Sequence, residues 1–168
     1  MGTREHKKSA PETIKVGIIS VSSTRTLSED KSGAWIAKRA KKEGNLVVDH
    51  RVIQDDADAI VSAVKEVIHE TGAEAIILTG GTGISPKDVT IEAVQPLFEK
   101  ELTAFGPLFA QLSFEEIDSA TILSRATAGI YNKTVLFCIP GSLKACRLAC
   151  KAIIFPELGH LLRHIRES

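Results

Sequence analysis

The sequence predicts an α/β domain: a mostly parallel sheet with helices on both faces. Three observations predict it. Short strands that are apolar on both sides alternate with amphipathic helical stretches, the pattern of βαβ units. A chain of 168 residues, 43% of them hydrophobic, can bury one sizeable core. The sequence contains no internal repeat, and only its first dozen residues, MGTREHKKSAPE, are polar and aperiodic. The expected organisation is therefore a disordered tail over 1–13 and one domain over 14–168.

The elements follow in order. IKVGIIS (14–20) reads as a buried strand. Ser32 to Glu43 is helical and stops at Gly44. LVVDHRVI (46–53) is a second strand. Ile60, Val61, Val64, Val67 and Ile68 then share one helical face, and Gly72 closes that helix. AIILT (75–79) is the third strand. From about Thr90 to Glu116 the pattern is helical, with Pro96 marking a break or a fresh start. Within it Phe98, Leu102, Phe105, Phe109 and Leu112 form one stripe, while Leu97, Leu108 and Phe114 lie off it. An apolar second face points to an assembly interface, unless Pro107 breaks the helix and both faces enter one core. Residues 126–140 read as two strands joined across Asn132-Lys133, a weaker hairpin pair than Asn-Gly. Ala145, Cys146, Ala149, Ala152 and Ile153 form a further helical stripe. Pro156 is expected to interrupt it before a last helix carrying Leu158, Leu161, Leu162 and Ile165.

Composition excludes several classes of function. Lysine plus arginine number 21, equal to aspartate plus glutamate, so no excess charge addresses nucleic acid or an anionic membrane. Cys138, Cys146 and Cys150 are odd in number and form no C-x-x-C pair, so they read as buried apolar residues. No apolar run reaches transmembrane length and no signal core opens the chain, which leads us to expect a cytoplasmic protein. His160 and His164, spaced i, i+4, lack an H-E-x-x-H context and read as a solvated basic face.

In open parallel sheets a ligand sits at the carboxyl ends of the strands. Small residues, hydroxyls and acids collect there. Val21-Ser22-Ser23-Thr24-Arg25 follows the first strand, with Ser28 to Gly33 beyond it. Gln54-Asp55-Asp56 follows the second, and Pro140-Gly141-Ser142 the last. Gly80-Gly81-Thr82-Gly83 follows the third, with Ser85, Lys87 and Asp88 beyond. This loop is neither a Walker motif nor G-x-G-x-x-G. It is either a tight connection or a cradle whose backbone N–H groups meet phosphate. Asp56 reads as a helix N-cap, and Asp55 lies too early to share that role. Asp88 either caps the helix near Thr90 or faces the crevice. If Asp55 and Asp88 face one crevice, they could hold a hard cation such as Mg²⁺ against phosphate oxygens. A branched side chain at Gly81 is expected to block the ligand while the melting temperature changes little.

LTGGTGISPKDVT (78–90), DKSG (30–33), LSRATAG (123–129) and FCIPGSLKACRLA (137–149) together resemble the MoaB/MogA family of molybdenum cofactor biosynthesis proteins. The likeness runs from about Ile14 to the C-terminus. PLFEKELTAFGPLFAQLSFEEI and PGSLKAC look more like the MoaB branch. The resemblance implies a three-layer α/β/α fold and Mg²⁺-dependent adenylylation of molybdopterin by ATP, with pyrophosphate leaving. It implies catalytic and Mg²⁺-holding roles for Asp55 and Asp88. Phosphate contacts are implied for Gly80, Gly81, Thr82, Gly83, Lys87, Pro140, Gly141 and Ser142. Pterin contacts are implied for Ser22, Asp30, Ser32, Ser124 and Arg125. A homotrimer or homohexamer working beside other enzymes of the pathway is implied as well. The competing reading is a non-catalytic molybdopterin-binding or assembly subunit of the same pathway.

Overall fold

The computed structural model describes residues 13–167. The expected tail lies, but for Thr13, outside them. Six strands form one sheet in the order β2-β1-β3-β6-β5-β4: β1 (Lys15–Val21), β2 (Leu46–Ile53), β3 (Ala75–Thr79), β4 (Lys100–Glu101), β5 (Thr127–Tyr131) and β6 (Thr134–Ile139). β1 pairs in parallel with β2 and β3, and β3 with β6, whereas β5 and β4 run antiparallel at one edge. Among the described residues six α-helices cover the faces: α1 (Lys31–Lys42), α2 (Ala57–Thr71), α3 (Thr90–Val94), α4 (Phe105–Ile117), α5 (Leu143–Ala149) and α6 (Phe155–Arg166).

The central strands are apolar on both sides because both sides are covered. Ile18, Ile77 and Phe137 pack with Ile36, Phe109, Cys146 and Leu158 under α1, α4, α5 and α6. Their neighbours Ile19, Ile76, Leu78 and Cys138 face the other way and pack with Ile60, Val64, Val67 and Val94 under α2 and α3. The period of two along each strand thus divides one apolar run between two cores. Each fully buried Ile or Leu side chain contributes about 1.5–3 kcal/mol relative to exposure. The result is a three-layer α/β/α sandwich.

The segment from Thr90 to Glu116 departs from the sequence expectation. Its helical pattern breaks into α3, a 3₁₀ turn at Gln95–Leu97, the two-residue edge strand β4 and then α4. Phe98 and Leu102 precede α4, so the five-residue stripe is not one helix face. Phe98 packs against Gly129, where a Cβ would overlap its ring. Phe105 and Phe109 are buried in the α4 core. Pro107 does not break α4, because it is the third residue of the helix, where a missing N–H loses no intrahelical bond. Pro156 does not interrupt the C-terminal helices either. A π-turn at Cys150–Ile154 joins α5 to α6 and places Pro156 in the first turn of α6. The hairpin between β5 and β6 forms where expected, and Asn132 and Lys133 both take positive φ (48° and 61°), as a type I′ turn requires.

Candidate active site

The carboxyl ends of β1, β2, β3 and β6 meet at one edge of the sheet, and the antiparallel β5 begins there. Each loop is held by its own small polar residues. After β1, the Ser22 hydroxyl accepts from the backbone N–H of Thr24 (3.3 Å) and of Arg25 (3.2 Å), turning the chain back over the sheet. After β2, Asp55 accepts through Oδ2 from the N–H (2.9 Å) and hydroxyl (2.8 Å) of Ser23, tying the first two loops together. Asp56 caps α2 by accepting from the Ala59 amide at 2.8 Å. Asp56 is thus the N-cap its spacing predicts, and Asp55 is not part of that cap.

After β3 the chain takes positive φ at Gly80 (97°) and Gly81 (65°). Side chains are disfavoured there by conformation and by space: a Cβ on Gly81 would meet the Thr90 hydroxyl and lie 3.3 Å from Asp55 Oδ1. Farther along, Asp88 Oδ2 accepts from the Ser85 amide (2.9 Å), and a Cβ on Gly83 would lie 2.7 Å from that oxygen. Asp88 caps no helix, because the N-cap of α3 is Val89 and carries no side-chain bond. The two carboxylates therefore flank the glycine loop. After β6, a Cβ on Gly141 would lie 3.1 Å from the Gly80 Cα, so the two loops are in close contact. Ser142 caps α5 by accepting from Ala145 N (3.1 Å), and Thr79 donates to the Pro140 carbonyl at 3.0 Å.

These loops enclose a cavity of about 370 Å³, within the size range of small-molecule sites. Ser22, Asp55, Gly80, Gly81, Thr82, Gly83, Lys87, Asp88, Ser124, Pro140 and Gly141 all line it. Most of the sequence-predicted residues thus reach one space. Asp30, Ser32, Ser142 and Arg125 do not line that cavity. Asp30 and Ser32 line a water-sized recess beside it, of about 20 Å³. Ser32 donates to the Gly141 carbonyl at 2.8 Å. Arg125 points Nε at the carbonyls of Thr82 and Gly83 and pairs through its terminal nitrogens with Glu92. The Glu92 hydrogen bond raises the Arg125 pKa and lowers that of Glu92 itself, so both stay charged.

Sequence reasoning missed Arg25 and Ser23 as cavity residues, although both lie in the loop after the first strand. Arg25 also lines the recess and makes no ion pair with another described residue. No local signal marks Glu92, whose partner lies 33 residues away. All three cysteines are buried, and burial pushes their thiols up, which argues against a thiolate nucleophile. No helix among the described residues is long and apolar enough to cross a membrane.

Asp30 is 3% exposed and accepts from the Ser20 hydroxyl (2.5 Å), His50 Nε2 (2.7 Å) and the Gly33 amide (2.9 Å). Burial alone would push its carboxyl up, but the hydrogen bonds from His50, Ser20 and Gly33 outweigh burial and hold the pKa below its usual value. A depressed folded-state pKa contributes stability that is complete above the unfolded value, about 3.9, and is lost as pH falls through the lower folded value. Asp30→Asn removes that dependence. Urea midpoints of the wild-type protein should fall more steeply than those of the variant between about pH 5 and pH 2. Equal slopes would remove Asp30 from the acid response.

A family profile described as a probable molybdopterin binding domain matches residues 17–160. Molybdenum cofactor biosynthesis protein B of Bacillus subtilis (strain 168) is 43% identical over 169 residues, covering 100% of this chain and 99% of that protein. The molybdopterin adenylyltransferase of Pyrococcus furiosus is 43% identical over 173 residues, covering 99% of this chain and all of its own. A crystal structure of a molybdenum cofactor biosynthesis protein B superposes with a TM-score of 0.91 at 39% identity, covering 95% of this chain and 99% of that one. Fold, full-length identity and a cleft framed by the resemblance motifs agree: the chain belongs to the MoaB/MogA family of molybdenum cofactor biosynthesis proteins, in its MoaB branch.

Proposed function

We propose that the protein acts in molybdenum cofactor biosynthesis by transferring the adenylyl group of ATP to the terminal phosphate of molybdopterin. The observation that carries this reading is the placement of Asp55 beside Gly81 and of Asp88 beside Gly83, with both carboxylates lining one cavity. An oxygen of the pterin phosphate attacks the α-phosphorus of ATP, a new P–O bond forms, and the bond to the β-phosphate breaks with release of pyrophosphate. The attacking phosphate is already ionised near neutral pH, so the site needs positioning and charge neutralisation more than a strong base. Lys87 and Arg25 line the cavity and supply positive charge toward the phosphates.

The donor set fits Mg²⁺. Carboxylate oxygens are hard ligands, and among the described residues Asp55 Oδ1 accepts no hydrogen bond while Oδ2 is held by Ser23. Mg²⁺ is commonly held by only one or two protein carboxylates and completes its shell with water and substrate phosphates. Bound there, Mg²⁺ would neutralise charge developing on the phosphates. Ser22 and Ser124 remain the proposed pterin-side residues, and Pro140 and Gly141 part of the proposed phosphate site. Asp30, Ser32 and Ser142 instead hold the loops in place through their own hydrogen bonds.

The test is direct. Purified protein incubated with molybdopterin, ATP and Mg²⁺ should yield adenylylated pterin by mass spectrometry, and EDTA should abolish the product. Pterin binding without product would favour the alternative, a non-catalytic binding or assembly subunit. The relative named molybdopterin adenylyltransferase supports the enzyme reading.

We also propose a closed assembly, a trimer or a pair of trimers. Leu108 and Phe114 of α4 are 43% and 56% exposed, and Ile122 and Leu123 beyond it are 83% and 55% exposed. Apolar surface of this kind marks interfaces. Light scattering should give three or six times the 18.1 kDa of one chain, and a monomer mass at micromolar concentration would overturn the assembly.

A further inference from the structure

Four consecutive carbonyls of the glycine loop are gripped by donors outside the cavity lining. Gly80 O accepts from the Thr90 hydroxyl (2.8 Å) and Gly81 O from the Thr90 amide (3.0 Å). Thr82 O and Gly83 O both accept from Arg125 Nε (3.0 Å each). In a planar trans peptide the C=O and the following N–H point in opposite directions. Holding these four carbonyls turns the N–H groups of Gly81, Thr82, Gly83 and Ile84 away from Thr90 and Arg125, on a loop that borders the cavity. Successive amides turned to one side form an anion-binding concavity. Thr90 is wholly buried and its grip is built into the fold. The other half of the grip depends on Arg125, whose guanidinium is oriented by Glu92 of α3 through both terminal nitrogens. Neither Arg125 nor Glu92 lines the cavity.

We propose that Glu92 and Arg125 form a clamp that fixes the glycine loop in its anion-receiving shape. Arg125 is thus a positioning residue rather than a contact for pterin or nucleotide. The cations left to meet substrate phosphates are Arg25 and Lys87. The consequence for turnover rests on the adenylyl-transfer reading, whereas the consequence for the loop does not.

Three variants separate the clamp from a direct contact: Glu92→Gln, Arg125→Lys and Arg125→Gln. Lysine keeps the charge but lacks the planar fork that binds two carbonyls and a carboxylate together. The first readout is the ¹⁵N order parameter of the Gly81, Thr82 and Gly83 amides in protein without ligand. It should fall from a rigid value of about 0.85 toward about 0.6 in all three variants. The second is ATP affinity by calorimetry, expected to weaken roughly tenfold in all three, about 1.4 kcal/mol. A direct-contact role predicts the opposite pattern: Glu92→Gln silent, and Arg125→Lys close to wild type. Unchanged loop order and ATP affinity in Glu92→Gln would overturn the clamp. Glu92 is exposed, so this variant keeps the test open even where an Arg125 variant folds poorly. If wild-type protein forms no adenylylated pterin, the reaction assignment fails while the order parameters still decide the clamp.

Discussion

Asp55→Asn and Asp88→Asn should each lower turnover by roughly a hundredfold or more, the scale of losing one electrostatic stabiliser at a reacting centre. Both substitutions keep shape and an acceptor oxygen. An Asn at 55 can still accept from Ser23, and an Asn at 88 from the Ser85 amide, so the loops stay stitched. What disappears is negative charge beside the glycine loop. Affinity for pterin should change far less, and melting temperatures should stay near wild type. If both carboxylates hold one cation, the double variant should fall little below either single one, because groups that act as a unit are not additive. Asp56→Asn is the internal control. It lies one residue away but caps α2, a task asparagine performs as well, so its turnover should equal wild type. Near-normal rates in both Asp55→Asn and Asp88→Asn would refute the two-carboxylate mechanism.

The contrast between Asp55 and Asp56 shows why much of this cleft is legible in the sequence. Capping is local: Asp56 lies three residues before the amide it binds, so spacing alone identifies it. Strand ends are also legible, because AIILT is followed at once by Gly80-Gly81 and LVVDHRVI within two residues by Asp55-Asp56. Topology then brings those ends to one edge. The middle of the chain was harder. Phe98, Leu102, Phe105 and Phe109 fall at helical spacing by coincidence, since the first two precede α4 and serve the sheet. Nothing local distinguishes an apolar residue above a sheet from one on a helix face. The orientation of Arg125 is illegible for a related reason. A motif says that an arginine stands beside the loop, but not whether its nitrogens point into the cavity or onto the loop's own carbonyls. Only the partners decide, and Glu92 and Thr82 are 33 and 43 residues away.

Gly81→Val should remove both binding and a measurable part of the stability, and the second effect is the one that sequence alone underestimates. The residue holds φ at 65°, a conformation that a β-branched side chain strongly resists. Its Cβ would also be driven into the hydroxyl of Thr90, which is wholly buried and holds the Gly80 carbonyl. Backbone strain of about 1–3 kcal/mol and the loss of a buried hydrogen bond worth about 1 kcal/mol add on the folded side. In a domain of this size, about 2–4 °C of melting temperature go with each kcal/mol, so a fall on the order of 10 °C is expected. ATP affinity should drop at least roughly tenfold, because the same side chain displaces the loop proposed to present its amides to the ligand. Gly83→Ala separates the two effects. Gly83 is absent from the positive-φ positions, so alanine brings no backbone strain there, but its Cβ would press on Asp88 Oδ2 at 2.7 Å. That variant should melt near wild type and still lose turnover. If Gly81→Val bound ATP normally once folded, the loop would be a tight connection between β3 and α3 and nothing more.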